Sequence, residues 1–285
     1  MHQYGLLKKL TKQRLTGSSI LVIKNNKFKA LILAAGFGTR LKPFTEVLPK
    51  CLMPISGKPL LEIWLDQLKS VHAEAVLVNL HYKAADVRSF LNRSKFKSWI
   101  SSTFEEILLG TAGTLIQNMD FFKGSTTLLA HGDNLCICDF ESFIDFHFNH
   151  RPEGTQITMM TFRTEDPRSC GIVELDENNI VIGFHEKVEN PPGNLANAAI
   201  YLLDPPVLEW LALQNSISDF SLEVLPQFIG KIATWENKVI MKDIGNPRAL
   251  LLAQGDVHNE DQSELDPWAK EFAHHPIHSM IKEYR

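Results

Sequence analysis

The sequence has no long apolar run. The longest apolar stretch of the N-terminal region, Ile20 to Ile23, is far too short for the core of a secretory signal. Nowhere does the chain approach the roughly 18 apolar residues of a membrane-spanning helix. No membrane partner and a cytoplasmic address are therefore expected. Cysteine is also scarce: Cys51, Cys136, Cys138 and Cys170 sit in or beside apolar runs, with no disulfide-like spacing. Cys136 and Cys138, two apart in an alternating run, point to one face of a strand, and no second ligand pair follows at zinc spacing, so all four read as reduced and mostly buried. Excess positive charge is missing too. Lys and Arg number 29 against 33 Asp and Glu, a net charge of −4, which gives the whole molecule no electrostatic reason to bind nucleic acid or an anionic membrane. There is no internal repeat and no low-complexity tract.

With 285 residues and 44% hydrophobic content, the chain is large enough for a substantial core. Its start is basic, with Lys8, Lys9, Lys12, Arg14, Lys24, Lys27 and Lys29 and no acidic residue before Ala30. Residues 1–28 are read as an extension, 29–255 as one domain and 256–285 as a helical tail. The run from Lys29 to Ala35 predicts a buried strand that feeds a tight loop. Helices over 59–70, 84–91 and from Thr111 then alternate with strands over 75–79, 99–104 and 126–130. That alternation predicts an α/β fold with a mostly parallel mixed sheet between helical layers. After a helix over 140–148, strand patterns at 156–162, 171–175, 180–185, 198–203 and 238–241 are expected to extend the sheet and build a lid. Helical patterns return at 206–213, 221–229, 247–254 and 264–282, the last as an amphipathic cap or an oligomer contact.

The chemistry starts in the loop after the first strand. Leu33, Ala34, Ala35, Gly36, Phe37, Gly38, Thr39 and Arg40 combine small residues and two glycines, which let backbone N–H groups approach a polyanion closely, with a cation at the end. A dinucleotide-binding fingerprint would want glycine or alanine where Leu41 stands, and an acidic residue about twenty positions on; Glu62 satisfies only the second condition. Prolines at 43, 49, 54 and 59 oppose a helix that begins at the glycines. A long wrapping loop that carries Arg40 and Lys50 suits a triphosphate held for attack.

From Leu33 to Glu62 the sequence resembles the signature of the sugar-1-phosphate nucleotidylyltransferases, and four further segments resemble that family's motifs in its order, to about Gln254. The resemblance implies a Rossmann-like three-layer sandwich of the nucleotide-diphospho-sugar transferase type. Leu109 to Thr114, with Gly110, Thr111 and Gly113, resembles the loop against the nucleobase; read alone it is a helix start with Thr111 as N-cap. His131-Gly132-Asp133-Asn134 follows a strand and places Asp133 where the family has its first metal ligand; read alone it is a turn. Glu186 and Lys187, with Asn197, are similar to the segment that holds the sugar phosphate, Glu186 on hydroxyls and Lys187 on the phosphate; alone they are a solvated ion pair. Asp243-Ile244-Gly245-Asn246-Pro247 resembles the element that supplies the second metal carboxylate, although the family usually has threonine where Asn246 stands; alone it is a helix N-terminus capped by Asn246.

The resemblance implies Mg²⁺ on Asp133 and Asp243, and a nucleoside triphosphate and a sugar 1-phosphate as substrates. GTP with a mannose or heptose phosphate comes first, and UTP or dTTP with glucose 1-phosphate second. Arg40, Lys50 and Asp133 are the catalytic candidates. Leu33, Ala35, Gly36, Gly38, Thr39, Gly110, Thr111, Gly113, Glu186, Lys187 and Asn197 are the substrate-binding ones. Family members commonly form homo-oligomers, so one is expected here, and the tail is too short for the β-helix that many of them carry. Three other readings stay open: a catalytically silent nucleotide-sugar-binding regulatory subunit, a glycosyltransferase, which would want a D-x-D motif where Asp133-Asn134-Leu135 stands, and a cytidylyltransferase for a non-sugar phosphate. His274, His275 and His278 read as a surface cluster.

Overall fold

The computed structural model describes residues 26–214, 216–257 and 266–284. Nearly all of the basic extension lies outside the described residues, as do Glu264 and Leu265 of the expected last helix. The parallel half of the sheet follows the alternation of the sequence. β1 (Phe28–Leu33) is flanked in parallel by β2 (Ala75–Leu80) and β4 (Thr126–His131), and β3 (Ile100–Phe104) lies beyond β2. Chain order therefore reverses on the two sides of β1, and the crevice at the carboxyl ends of β1 and β4 is where open α/β sheets bind ligands.

The second half extends this sheet with antiparallel strands. β9 (Leu195–Leu203) pairs with β4 through Ile200 to Leu203, with β6 (Ile157–Arg163) on its other side, and at Ala196 with Ile172 of β7 (Gly171–Leu175). β8 (Val181–Glu186) pairs with β7 at the margin. β10 (Ile232–Glu236), which the sequence pattern did not single out, runs parallel to β6. β5 (Asn134–Ile137) and β11 (Ile240–Asp243) form a separate antiparallel ribbon with Asp243 opposite Asn134.

Strand periodicity divides the core in two. Ala30 and Ile32 of β1 face α1 (Leu60–Ser70) and α2 (Ala84–Leu91), while Leu31 faces α3 (Gly110–Gln117) and α5 (Pro205–Ala212). The indole N–H of Trp64 in α1 donates to the Asn134 carbonyl at 2.8 Å and the Gln67 amide donates to the Cys136 carbonyl at 2.9 Å, so α1 pins β5. Cys51 and Cys136 are buried and Cys138 and Cys170 half-buried, all four as free thiols.

Several helices are shorter than their patterns. The one expected to reach Phe148 is α4 (Phe140–Asp145), followed by a wider turn, Phe146–His150. Residues 221–229 form two irregular turns, Phe220–Val224 and Leu225–Phe228, because Pro226 has no N–H to continue a helix. The expected tail helix is two, α7 (Pro267–Ala273) and α8 (Ile277–Glu283), broken before Pro276, while α6 (Pro247–Ala253) starts on Asn246 as its cap. Phe272, Ile277 and Ile281 join the same core as β1 and α1. His274, His275 and His278 bond to local backbone, and no cluster of three or more metal-type side chains occurs among the described residues. None of the described helices is long and apolar enough to cross a membrane.

The tail is held by Arg93, which is buried. It donates to Glu62 of α1 and, at 2.7 Å, to Asp266, and its guanidinium lies over Phe90, Phe96 and Trp268. Breaking a buried pair from one side costs more than the pair contributes, because the remaining charge stays buried. Arg93→Met should therefore lower the unfolding free energy by about 3–5 kcal/mol in urea titrations, whereas a loss below about 1 kcal/mol would show that Lys95, the other partner of Glu62, suffices.

Candidate active site

The loop after β1 makes no long helix. It runs through short turns at Thr39–Leu41, Phe44–Val47 and Lys50–Leu52, so the dinucleotide-binding alternative falls, and Glu62 is spent on Arg93 and Lys95. Gly38 sits at φ 61°, a left-handed conformation, and a side chain there would meet the Thr45 methyl at 2.8 Å. The Thr45 hydroxyl donates to the Gly38 carbonyl at 3.0 Å, and Tyr82 donates to the Thr45 carbonyl at 2.9 Å. These contacts bring Lys50 back under the glycines.

The ammonium of Lys50 lies 2.8 Å from Asp133 Oδ2 and 2.9 Å from Asp243 Oδ1, and the residue is only 5% exposed. Arg40, exposed, reaches the other oxygen of Asp243 at 3.5 Å. Asp133 follows the end of β4, where Gly132 is required because a side chain there would meet Ile32 at 2.5 Å. Asp243 is carried to it by the pairing of β11 with β5. Burial alone would raise the Asp133 carboxyl, but the charges of Lys50 and His131 and the hydrogen bond from Lys50 hold it below the usual carboxylate range. The neighbouring Cys51 thiol is pushed up to about 12 by burial and by the Asp133 charge, so it is not an ionised nucleophile near neutral pH.

A second arm of the site is organised by buried groups that sequence reasoning passed over. Asn79, at the end of β2, accepts from the Ala34 N–H at 2.7 Å and donates to Glu105 Oε1 at 2.9 Å. Glu105 also accepts from the Thr114 hydroxyl at 2.6 Å and from the Leu109 N–H at 3.2 Å. The first turn of α3, Gly110 to Gly113, is thus tied to the glycine loop. Thr111 does not cap the helix; its hydroxyl accepts from the Phe220 N–H at 2.7 Å, and the Ser218 carbonyl accepts from the Ala112 N–H at 2.9 Å. Gly110 is at φ 81°, and a Cβ there would lie 2.5 Å from that carbonyl.

The third arm lies beside the carboxyl end of β4. Ile200 of β9 is opposite Ala130, so the bulge from Asn197 to Ile200 runs past His131 toward Asp133. Asn197 accepts from the Ala199 N–H at 2.9 Å and donates to the Tyr201 hydroxyl at 2.7 Å, so both ends of its amide take part in shaping the bulge. Burial pushes the Tyr201 phenol up to about 12. Glu186, opposite Gly171, pairs with Lys187 at 3.1 Å, and Lys187 has a left-handed backbone. A Cβ at Gly171 or at Gly245 would press on a neighbouring carboxylate, Glu186 at 2.5 Å and Asp243 at 2.4 Å, and at Gly171 also on the Phe184 ring at 2.7 Å.

A sequence model of the nucleotidyl transferase family matches residues 29–260. The chain belongs to this family. Among curated relatives, the nucleotidyl transferase chain is 30% identical over 233 residues to the mannose-1-phosphate guanylyltransferase of Mycobacterium tuberculosis, covering 80% of this chain and 64% of the relative. It is also 30% identical over 232 residues to the mannose-1-phosphate guanylyltransferase catalytic subunit beta of Drosophila melanogaster, covering 79% and 62%. The chain thus spans less than two thirds of the length of these relatives. A Bacillus anthracis protein named as a glucose-1-phosphate thymidylyltransferase, solved with a sucrose, superposes with a TM-score of 0.70 at 24% identity, over 82% of this chain and 98% of that one. HddC from Yersinia pseudotuberculosis complexed with GMP-PN gives 0.66 at 24% identity, over 80% and 98%. The two structures confirm the fold expected for the family.

Two outcomes test the geometry. Gly245→Ala should shift the Asp243 carboxylate off Lys50 while the circular dichroism spectrum stays native; unaltered Asp243 and Lys50 positions in a crystal structure of the variant would contradict this. Because the Asp133 carboxyl is lowered in the folded state, its contribution is complete above the unfolded value near 3.9 and is lost as pH falls through the lower folded value. Asp133→Asn should therefore flatten the loss of stability below about pH 4, measured by denaturant midpoints against pH, and an acid limb as steep as wild type would rule the contribution out.

Proposed function

We propose that this chain is a sugar-1-phosphate nucleotidylyltransferase that transfers a nucleoside monophosphate, GMP by preference, from the triphosphate to a mannose- or heptose-type 1-phosphate and releases pyrophosphate. The observation that carries this reading is the convergence of Lys50, Asp133 and Asp243 at the carboxyl edge of the sheet, directly under a glycine loop that ends in Arg40. The names of the curated relatives support the choice of GTP and mannose 1-phosphate.

Both substrates are polyanions, and two unit charges about 4 Å apart repel by roughly 4 kcal/mol at an effective dielectric of 20. The donor set fits Mg²⁺: two hard carboxylates converge on one point, which suits an ion held by one or two carboxylates that keeps several of its waters. Asp133 and Asp243 would hold it, and when bound it supplies positive charge against the phosphates. The backbone of Gly36 to Thr39 receives the triphosphate, and Arg40 and Lys50 are placed to neutralise it. Lys187 meets the sugar phosphate and Glu186 its hydroxyls. An oxygen of the sugar phosphate forms the new bond to the α-phosphorus, in line with the bond that breaks to the pyrophosphate oxygen. The attacking oxygen is already ionised near neutral pH, so the residues need supply no general base, and positioning and electrostatics carry the rate. A cytoplasmic address and a homo-oligomer belong to the same reading.

The experiment is a pyrophosphate-release assay with Mg²⁺ that crosses GTP, UTP, CTP, ATP and dTTP against mannose, glucose and heptose 1-phosphates. Release with GTP and a mannose or heptose phosphate is the expected result. Binding of a nucleotide sugar with no release from any pair would instead support a silent regulatory subunit. Asp133→Asn and Lys50→Ala should each lower turnover by orders of magnitude with the fold intact, and near-normal turnover in either would refute the role given to that residue.

A further inference from the structure

Lys50 and a divalent cation need the same two carboxylates. The ammonium donates to Asp133 Oδ2 and Asp243 Oδ1, and Arg40 approaches the remaining oxygen of Asp243. A cation seated on the pair would share oxygens with a buried ammonium a few ångströms away, and charges of like sign at that distance repel strongly where water is scarce. Moving the ammonium off without giving it another anion would leave it buried and unpaired, which is costly. The incoming triphosphate is such an anion.

We propose that Lys50 is an internal placeholder cation, which satisfies Asp133 and Asp243 until a triphosphate draws it away, so that divalent-ion binding at these carboxylates is held weak without nucleotide and strengthened by it. The inference rests on the reading above that the two carboxylates hold a divalent ion and that Lys50 meets the triphosphate. It adds a coupling between those roles: by linkage, nucleotide raises the affinity for the ion by the same factor as the ion raises the affinity for nucleotide. Lys50 then serves both as a charge on the phosphates and as a guard that keeps the ion from binding unproductively.

The test is Mn²⁺ binding to the full chain without nucleotide, followed by electron paramagnetic resonance. Lys50→Met should bind Mn²⁺ at least about tenfold more tightly than wild type. Lys50→Arg, which keeps the charge, should stay within a few-fold of wild type, and adding Asp133→Asn to Lys50→Met should abolish the gain. A folded Lys50→Met chain that binds Mn²⁺ no more tightly than wild type overturns the proposal. A second measurement needs no variant: amine labelling of the wild-type chain, read by mass spectrometry, should accelerate at Lys50 with saturating Mn²⁺, and an unchanged rate counts against the displacement. A chain that releases pyrophosphate yet shows neither effect keeps the reaction and loses the coupling. Absence of Mn²⁺ binding in every form removes metal site and coupling together.

Discussion

The ammonium of Lys50 lies between Asp133 and Asp243, and much of the chain's architecture serves to bring those three groups together. A lysine buried this deeply is stable as a charge only because it makes two charge-assisted hydrogen bonds, and each bond must be delivered by a separate part of the fold. β1 and the wrapping glycine loop deliver Lys50. β4 and the close packing of Gly132 on Ile32 deliver Asp133. The β5–β11 ribbon delivers Asp243, and α1 holds that ribbon through Trp64 and Gln67. A shift in any of these elements would strand a charge, so the site and the fold support each other.

Elsewhere the same end of the sheet is organised by buried hydrogen bonds and by empty volume. The glycine loop and the entry to α3 are joined through the buried Asn79 and Glu105, which use backbone N–H groups of both segments as their partners. Such a link fixes the relative placement of the loops without adding a side chain to the crevice. Glycine performs the complementary task beside Glu186 and Asp243, where the room left by a missing Cβ lets each carboxylate lie flat against the chain. These four glycines therefore divide into two kinds. Gly38 and Gly110 supply a left-handed backbone, while Gly171 and Gly245 supply space.

The sequence was most legible where local pattern and function coincide. The apolar strands before the glycine loop and before Asp133 announce the parallel half of the sheet, and Gly36, Gly38 and Asp133 follow the carboxyl ends of those strands. Less legible were features that depend on partners far away in the chain. Asn79 and Glu105 look like ordinary polar residues at strand ends until the loops close on them. Thr111 reads as a helix cap, but the Phe220 N–H takes its hydroxyl. The helical pattern at 221–229 contains Pro226, and backbone N–H bonds to Glu223 from Ser218 and Asp219 stabilise an irregular turn there instead. β10 was missed because its place beside β6 is set by long-range pairing, which periodicity alone does not encode.

Charge counting links the architecture to the chemistry. Arg40, Lys50 and Lys187 pair with Asp243, Asp133 and Glu186, so these six side chains balance in sign and every one of these cations already has an acidic neighbour. A balanced set has little net attraction for a polyanion, whatever its individual cations do. On the proposed reading it would gain that attraction only when the carboxylates are given another positive partner and the lysine and arginine are freed to turn toward phosphate. A divalent ion on Asp133 and Asp243 would change the balance in that sense at the one place where both carboxylates converge. The pairing that stabilises Lys50 inside the folded chain is, on this argument, also the contact that has to be exchanged for chemistry to begin.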